Sequence, residues 1–115
     1  MRIVHDPEGT PRTLAHEVER AESLFAQARG LMFRRSIPDD YALVFPFDDA
    51  ETRSIHMLFV PFPLDVLWLA DDEVQAVKTV PPWYGVGWAR ADTLLELPAG
   101  AAAGVSEGDT VVVAD

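Results

Sequence analysis

From residue 41 onward the chain is a series of apolar runs five to eight residues long, each stopped by a proline or by one or two acids. Runs that short and that rich in Val, Leu, Ile and aromatics make strands and are too brief for core helices. Six follow one another: YALVFPF (41 to 47), SIHMLFV (54 to 60), LDVLWLA (64 to 70), EVQAVKTV (73 to 80), DTLLEL (92 to 97) and TVVVA (110 to 114). A polar loop, DDAETR, separates the first two, and GVGWAR (85 to 90) reads as a flexible loop after Pro-Pro-Trp. The fold expected is mainly β (α+β), a compact β-sandwich or partly open barrel.

Asp71-Asp72 is a two-residue hairpin turn, because aspartate tolerates left-handed backbone angles. With Ala70 opposite Glu73 and a uniform register, Asp65 faces Lys78, an opposite-charge pair worth a few tenths to ~1 kcal/mol. A hairpin between 54 and 70 leaves one parity open. A three-residue loop puts His56 and Asp65 on opposite faces; a four-residue loop puts them on one.

The first third has two readings. Apolar residues at 14, 18, 21, 25 and 28 suit one amphipathic helix over Thr13 to Arg29. Ser23 also has the chemistry of an N-cap, which would begin a shorter helix, Leu24 to Phe33, after a strand around Arg12 to Arg20.

With 115 residues the chain makes one domain, 1–115, able to bury roughly two thirds of its unfolded surface. It has no cysteine, so disulfides and thiolate metal sites are excluded. The apolar stretch from Met57 to Ala70 is broken by Pro61, Pro63 and Asp65, and MRIVHDPEGT has no secretory apolar segment, which points to the cytoplasm. Nineteen acids against nine basic residues give a net charge of -10, which repels nucleic acid and anionic lipid. Neither is an expected partner. Eight of the nine basic residues are arginine, with Lys78 the one lysine, an acidic, lysine-poor balance suited to a halophilic, high-salt cytoplasm.

RGLMFR (29 to 34), YALVFPF, M-x-F-x-P-F-P-L-D (57 to 65), LLELPAG (94 to 100) and EGD (107 to 109), in that order, resemble domain of unknown function 192, a family of small bacterial and archaeal proteins. The likeness spans roughly residues 14 to 113, and the composition would suit a haloarchaeal member. It implies a compact β-rich sandwich or partly open barrel with one short helix around residues 23–33 carrying RGLM, and no established activity. The family's recurrent residues fall here on Arg29, Gly30, Leu31, Met32, Arg34, Phe45, Met57, Pro63, Leu64, Asp65, Leu95, Glu96, Gly100, Gly108 and Asp109. Many members read W-M-x-N-T-x-x-P-L-D in the central motif. Phe59 and Val60 stand here for the Asn-Thr pair, and His56 where an aromatic is common.

Metal binding needs three or four donors converging at about 2 Å from the ion. His5, His16 and His56 form no HxH or HxxxH pair, so neither metal nor cofactor is expected. No serine sits in a G-x-S-x-G elbow, and no phosphate loop is present. What remains is a polar set, Arg29, Arg34, His56, Asp65 and Glu96, and a late aromatic group, Trp83, Tyr84 and Trp88, in a loop ending at Arg90. Glu96, alternating with Leu95 and Leu97, can face solvent or meet an arginine. Leu31 and Met32 serve first as a plug at one end of the β core.

The leading expectation is a ligand- or partner-binding domain, with Arg29 or Arg34 taking a carboxylate and Trp83, Tyr84 and Trp88 forming a lip for a small molecule or peptide. An enzyme would use His56 as general base with Asp65, Glu96 being a further candidate acid. A third class is an interaction protein, monomer or weak homodimer, using an exposed strand or the tryptophans.

Overall fold

The computed structural model describes residues 1–6 and 9–114, apart from the side chains of 24 and 25. Eight strands and one helix follow in order: β1 Arg2–Asp6, β2 Arg12–Ala15, β3 Glu17–Arg20, α1 Leu24–Arg29, β4 Tyr41–His56, β5 Leu64–Ala70, β6 Glu73–Val80, β7 Val86–Pro98 and β8 Thr110–Ala114. The strands form one sheet ordered β2-β1-β8-β6-β5-β7-β4-β3. Its two edge strands, β2 and β3, are separated in the chain by His16 alone. A sheet whose edges are one residue apart must roll up, so the molecule is a partly open barrel.

Two apolar clusters follow from the roll. The inner one draws side chains from all eight strands, among them Ile3, Leu14, Val18, Val44, Leu67, Val74, Leu95 and Val111. The outer one lies on the opposite face of β4, β7 and β5 and includes Leu43, Phe45, Val66, Trp68 and Leu94. A cover for that outer face comes from topology. β3 and β4 are parallel neighbours, which need a crossover rather than a hairpin. Residues 21–40 supply it, and Ala21, Leu31 and part-buried Met32 pack onto the outer cluster.

The shorter of the two N-terminal readings is the one adopted. Ser23 caps the helix, its Oγ accepting from the Ala26 amide at 3.0 Å. The helix stops at Arg29, four residues short of the expected Phe33, because Gly30 leaves helical space at φ 51°, ψ −127°. That backbone region is essentially reserved for glycine. Leu31 is 1% exposed and plugs the outer cluster, with Met32 half-buried beside it.

Three expectations about strands are corrected. Residues 54–60 are not a separate strand: β4 runs unbroken through DDAETR to His56, and Met57 to Val60 form a turn closed by the Val60 amide donating to the Met57 carbonyl. There is no hairpin between 54 and 70, since β7 lies between β4 and β5. GVGWAR is strand from Val86 on, because Gly87 lets the Trp68 ring pack against the backbone; a Cβ there would lie 2.8 Å from that ring. The Asp71-Asp72 turn is as expected, with φ of 51° and 64° and Ala70 paired to Glu73. Beyond it, a bulge between Trp68 and Leu69 shifts the register by one, so Asp65 faces Thr79 rather than Lys78.

Candidate functional site

The outer face of the sheet holds one buried acid. Glu96 lies in β7 between Val66 of β5 and Leu43 of β4, on the same side as Leu94. Both neighbours are apolar, and the crossover closes over it at Gly30, where a Cβ would sit 3.6 Å from Glu96 Oε1 and 3.5 Å from Phe45. Glu96 is 6% exposed, and among the described residues its Oε1 has no hydrogen-bond partner. Loss of solvent therefore pushes its carboxyl up to about 7.

This carboxyl reaches a cavity of about 400 Å³ between the crossover and the sheet. Leu31, Phe45, Val60 and Leu94 give it an apolar floor, while Arg29, Arg53 and His56 bring polar groups to it. Their readiness differs. Arg53 is committed: it donates to the carbonyls of Ala91 at 3.3 Å and Asp49 at 2.9 Å, and stacks 3.9 Å over the Phe47 ring. His56 Nδ1 accepts from the Leu58 amide at 3.2 Å, which leaves Nε2 as the proton-bearing nitrogen. Arg29, exposed at the end of α1, makes no salt bridge among the described residues. A buried acid, an apolar floor and an exposed cation at the rim suit a small amphipathic molecule.

The other sequence-derived site residues lie elsewhere. Asp65 shares a face with Leu67 and Leu97, whose side chains belong to the inner cluster, and it does not line the cavity that His56 lines, so the two form no pair. Its carboxylate is spent on structure, accepting from Thr79 Oγ1 at 2.6 Å and from the amides of Gly100 at 3.0 Å and Ala102 at 2.9 Å. Gly100, at φ 95°, turns its N–H toward that carboxylate. Asp109 likewise accepts from the Ser106 amide and the buried His5 ring, at 2.9 and 2.8 Å, tying the turn before β8 to β1. These bonds, the Ser106 amide first, hold its carboxyl below the usual range. Arg34 pairs with Glu19 at 3.3 Å and lies 5.3 Å over the Tyr41 ring, away from the cavity. Trp83, Tyr84 and Trp88 are exposed and do not line it.

Of the expected set, then, the cavity gathers Arg29, His56 and Glu96. Sequence reading missed Phe45, Arg53 and Ser54 as lining. It also weighed Glu96 as solvent-facing. The usable signal was LLEL itself: a strand apolar on both parities is buried on both faces, so an acid within it is buried too.

A rolled β-sheet with a helical crossover over one face defines the class of protein. The family model DUF192, described as uncharacterized ACR, matches residues 4–113, and the chain belongs to that family. It is 36% identical over 87 residues to a UPF0127 protein of Thermococcus sibiricus, a match covering 72% of this chain and 55% of that protein. The chain thus spans about half the length of that curated relative. A crystal structure from Sinorhizobium meliloti, of a proposed transcription regulator, is similar at TM-score 0.79 and 28% identity, covering 96% of this chain and 92% of the other. A protein of unknown function from Novosphingobium aromaticivorans has the same fold at TM-score 0.81 and 23% identity, covering 97% and 84%.

Proposed function

We propose that the chain is a small-molecule binding domain whose ligand sits under the crossover, on Glu96. The observation that carries this is the unpartnered Glu96 Oε1 facing a cavity of about 400 Å³. A buried polar atom without a partner is costly, and a ligand donor placed there removes the cost. The apolar floor takes the ligand's body. Arg29 at the mouth takes an anionic group, the role expected of it from the sequence. A net charge of -10 with one lysine suits work in a high-salt cytoplasm, as for a haloarchaeal member of the family.

The test is a thermal-shift screen of amphipathic metabolites on the wild-type chain and on Glu96→Gln and Ser54→Trp. A ligand at 100 times its Kd adds about 2.7 kcal/mol of stability. Ser54→Trp, filling the cavity at its rim, should abolish the gain, and Glu96→Gln should weaken it at least tenfold. A ligand that stabilises all three chains equally would place binding elsewhere.

One observation favours a second reading. A carboxyl that titrates near 7 is suited to moving a proton at neutral pH, so the same pocket could serve an enzyme with Glu96 as general acid or base. Turnover of a bound ligand, lost in Glu96→Gln while binding persists, would identify it.

A further inference from the structure

The acids of this protein are unevenly spread. None of the nineteen falls in residues 29–38, 52–64 or 74–91, yet six of the nine basic residues do. These three segments converge. The Phe33 amide donates to the Phe59 carbonyl at 2.8 Å, the Trp83 amide to the Val60 carbonyl at 3.2 Å, and the Met57 amide to the Gly85 carbonyl at 2.9 Å. The chain that meets at this end therefore carries no acid of its own, although the whole carries -10 and two of its arginines, Arg34 and Arg53, reach acids of other segments, Glu19, Asp49 and Glu51.

That end is tipped with apolar side chains. Phe33 stacks on Phe59 with ring centroids 5.0 Å apart, and Phe59 meets Trp83 edge-on at 6.2 Å. Each of the three sits in a turn at positive φ, 70°, 61° and 66°, a backbone state that bulky residues rarely take. Tyr84 is 89% exposed, Trp88 68% and Leu58 56%. Side chains so far out of the surface make a set of protruding tips rather than a groove. Arg29, Arg35, Lys78 and Arg90, none in a salt bridge among the described residues, belong to the same three segments.

We propose that this end docks on an anionic lipid surface. The protruding aromatic and aliphatic tips enter the headgroup and acyl boundary, where Trp and Tyr rings are favoured, and the cations meet lipid phosphates. Protruding tips suit a soft phase that closes around them, whereas a folded protein partner would need a matching hollow for each. Aliphatic tips such as Leu58 and Val86 give no reading of base edges. The net charge opposes binding only when averaged over the surface; the docked molecule turns its acidic remainder away.

The experiment is sedimentation of the full chain with vesicles of phosphatidylglycerol and phosphatidylcholine mixed equally, or of phosphatidylcholine alone, in about 0.1 M KCl. Tryptophan emission is followed in parallel. Trp68 is buried, so a blue shift reports Trp83 and Trp88. The expected result is binding to the mixed vesicles, at least tenfold stronger than to the neutral ones, with a blue shift. Each basic residue near an anionic surface strengthens binding roughly fivefold, so Arg35→Glu with Arg90→Glu should lose well over tenfold. Tyr84→Ser with Trp88→Ser, at exposed positions that leave the core intact, should lose roughly tenfold and most of the shift. Arg2→Glu with Arg20→Glu, outside the three segments, should change nothing. Absence of binding to the mixed vesicles, equal binding to both kinds, indifference to the Tyr84 and Trp88 substitutions, or binding to single-stranded RNA instead of vesicles would each overturn the proposal.

Discussion

Glu96 and Asp65 are both buried acids, and opposite surroundings give them opposite fates. Asp65, with three donors about it, is a brace; Asp65→Ala strands those donors and should cost about 2 to 4 kcal/mol in urea unfolding. Glu96 has none on Oε1, and burial raises its carboxyl from 4.5 to about 7. Below 4.5 the group is protonated whether folded or not, and it adds no slope. Between 4.5 and 7 the native chain keeps a proton that the unfolded chain has lost, so stability falls as pH rises, by about 3 kcal/mol in all, and is flat above. Glu96→Gln should erase this slope and exceed the wild type in stability at pH 8, as urea unfolding at pH 5 and pH 8 would show. Neither fate was fully legible. The sequence placed Asp65 by a uniform register, which the bulge at Trp68 breaks. It weighed Glu96 as exposed because period-two alternation identifies faces without saying which of them meets water.

At the scale of elements, the crossover is the piece on which the cavity depends. Leu31 holds it down, and Leu31→Ala should cost about 3 kcal/mol and loosen the pocket along with the fold. Gly30→Ala acts differently. The added methyl meets only ordinary contacts, but the backbone at φ 51° and ψ −127° is strained for alanine, and the change should cost about 1 to 3 kcal/mol. Melting curves of the two variants set the loss of packing at Leu31 beside the backbone strain at Gly30. Much of this element was visible in advance. Ser23 announced the helix start and turn chemistry at Asp71-Asp72 the hairpin, whereas the stop at Gly30 was missed, the helix being expected to run on to Phe33. Strands β1 to β3 were harder to see, because they are short and split between the barrel wall and the surface, so apolar spacing over 14 to 28 imitates a helix.

For the whole molecule, fold class was readable from run length alone, since six short apolar runs in 115 residues leave little but a rolled or stacked sheet. Strand order was not: β7 inserts between β4 and β5, a long-range pairing that no local signal encodes. Net charge likewise says nothing of its own distribution. A chain at -10 repels itself, and added KCl should raise its melting temperature through screening, most steeply up to a few tenths molar.

The joint at His16 has a mechanical consequence. β2 and β3 lie side by side in the chain yet at opposite rims of the sheet, so the cylinder carries a lengthwise slit crossed by a single covalent stitch. Opening along that slit breaks no interstrand ladder, and deuterium uptake should therefore begin at residues 12–20 and reach β5 and β7 last.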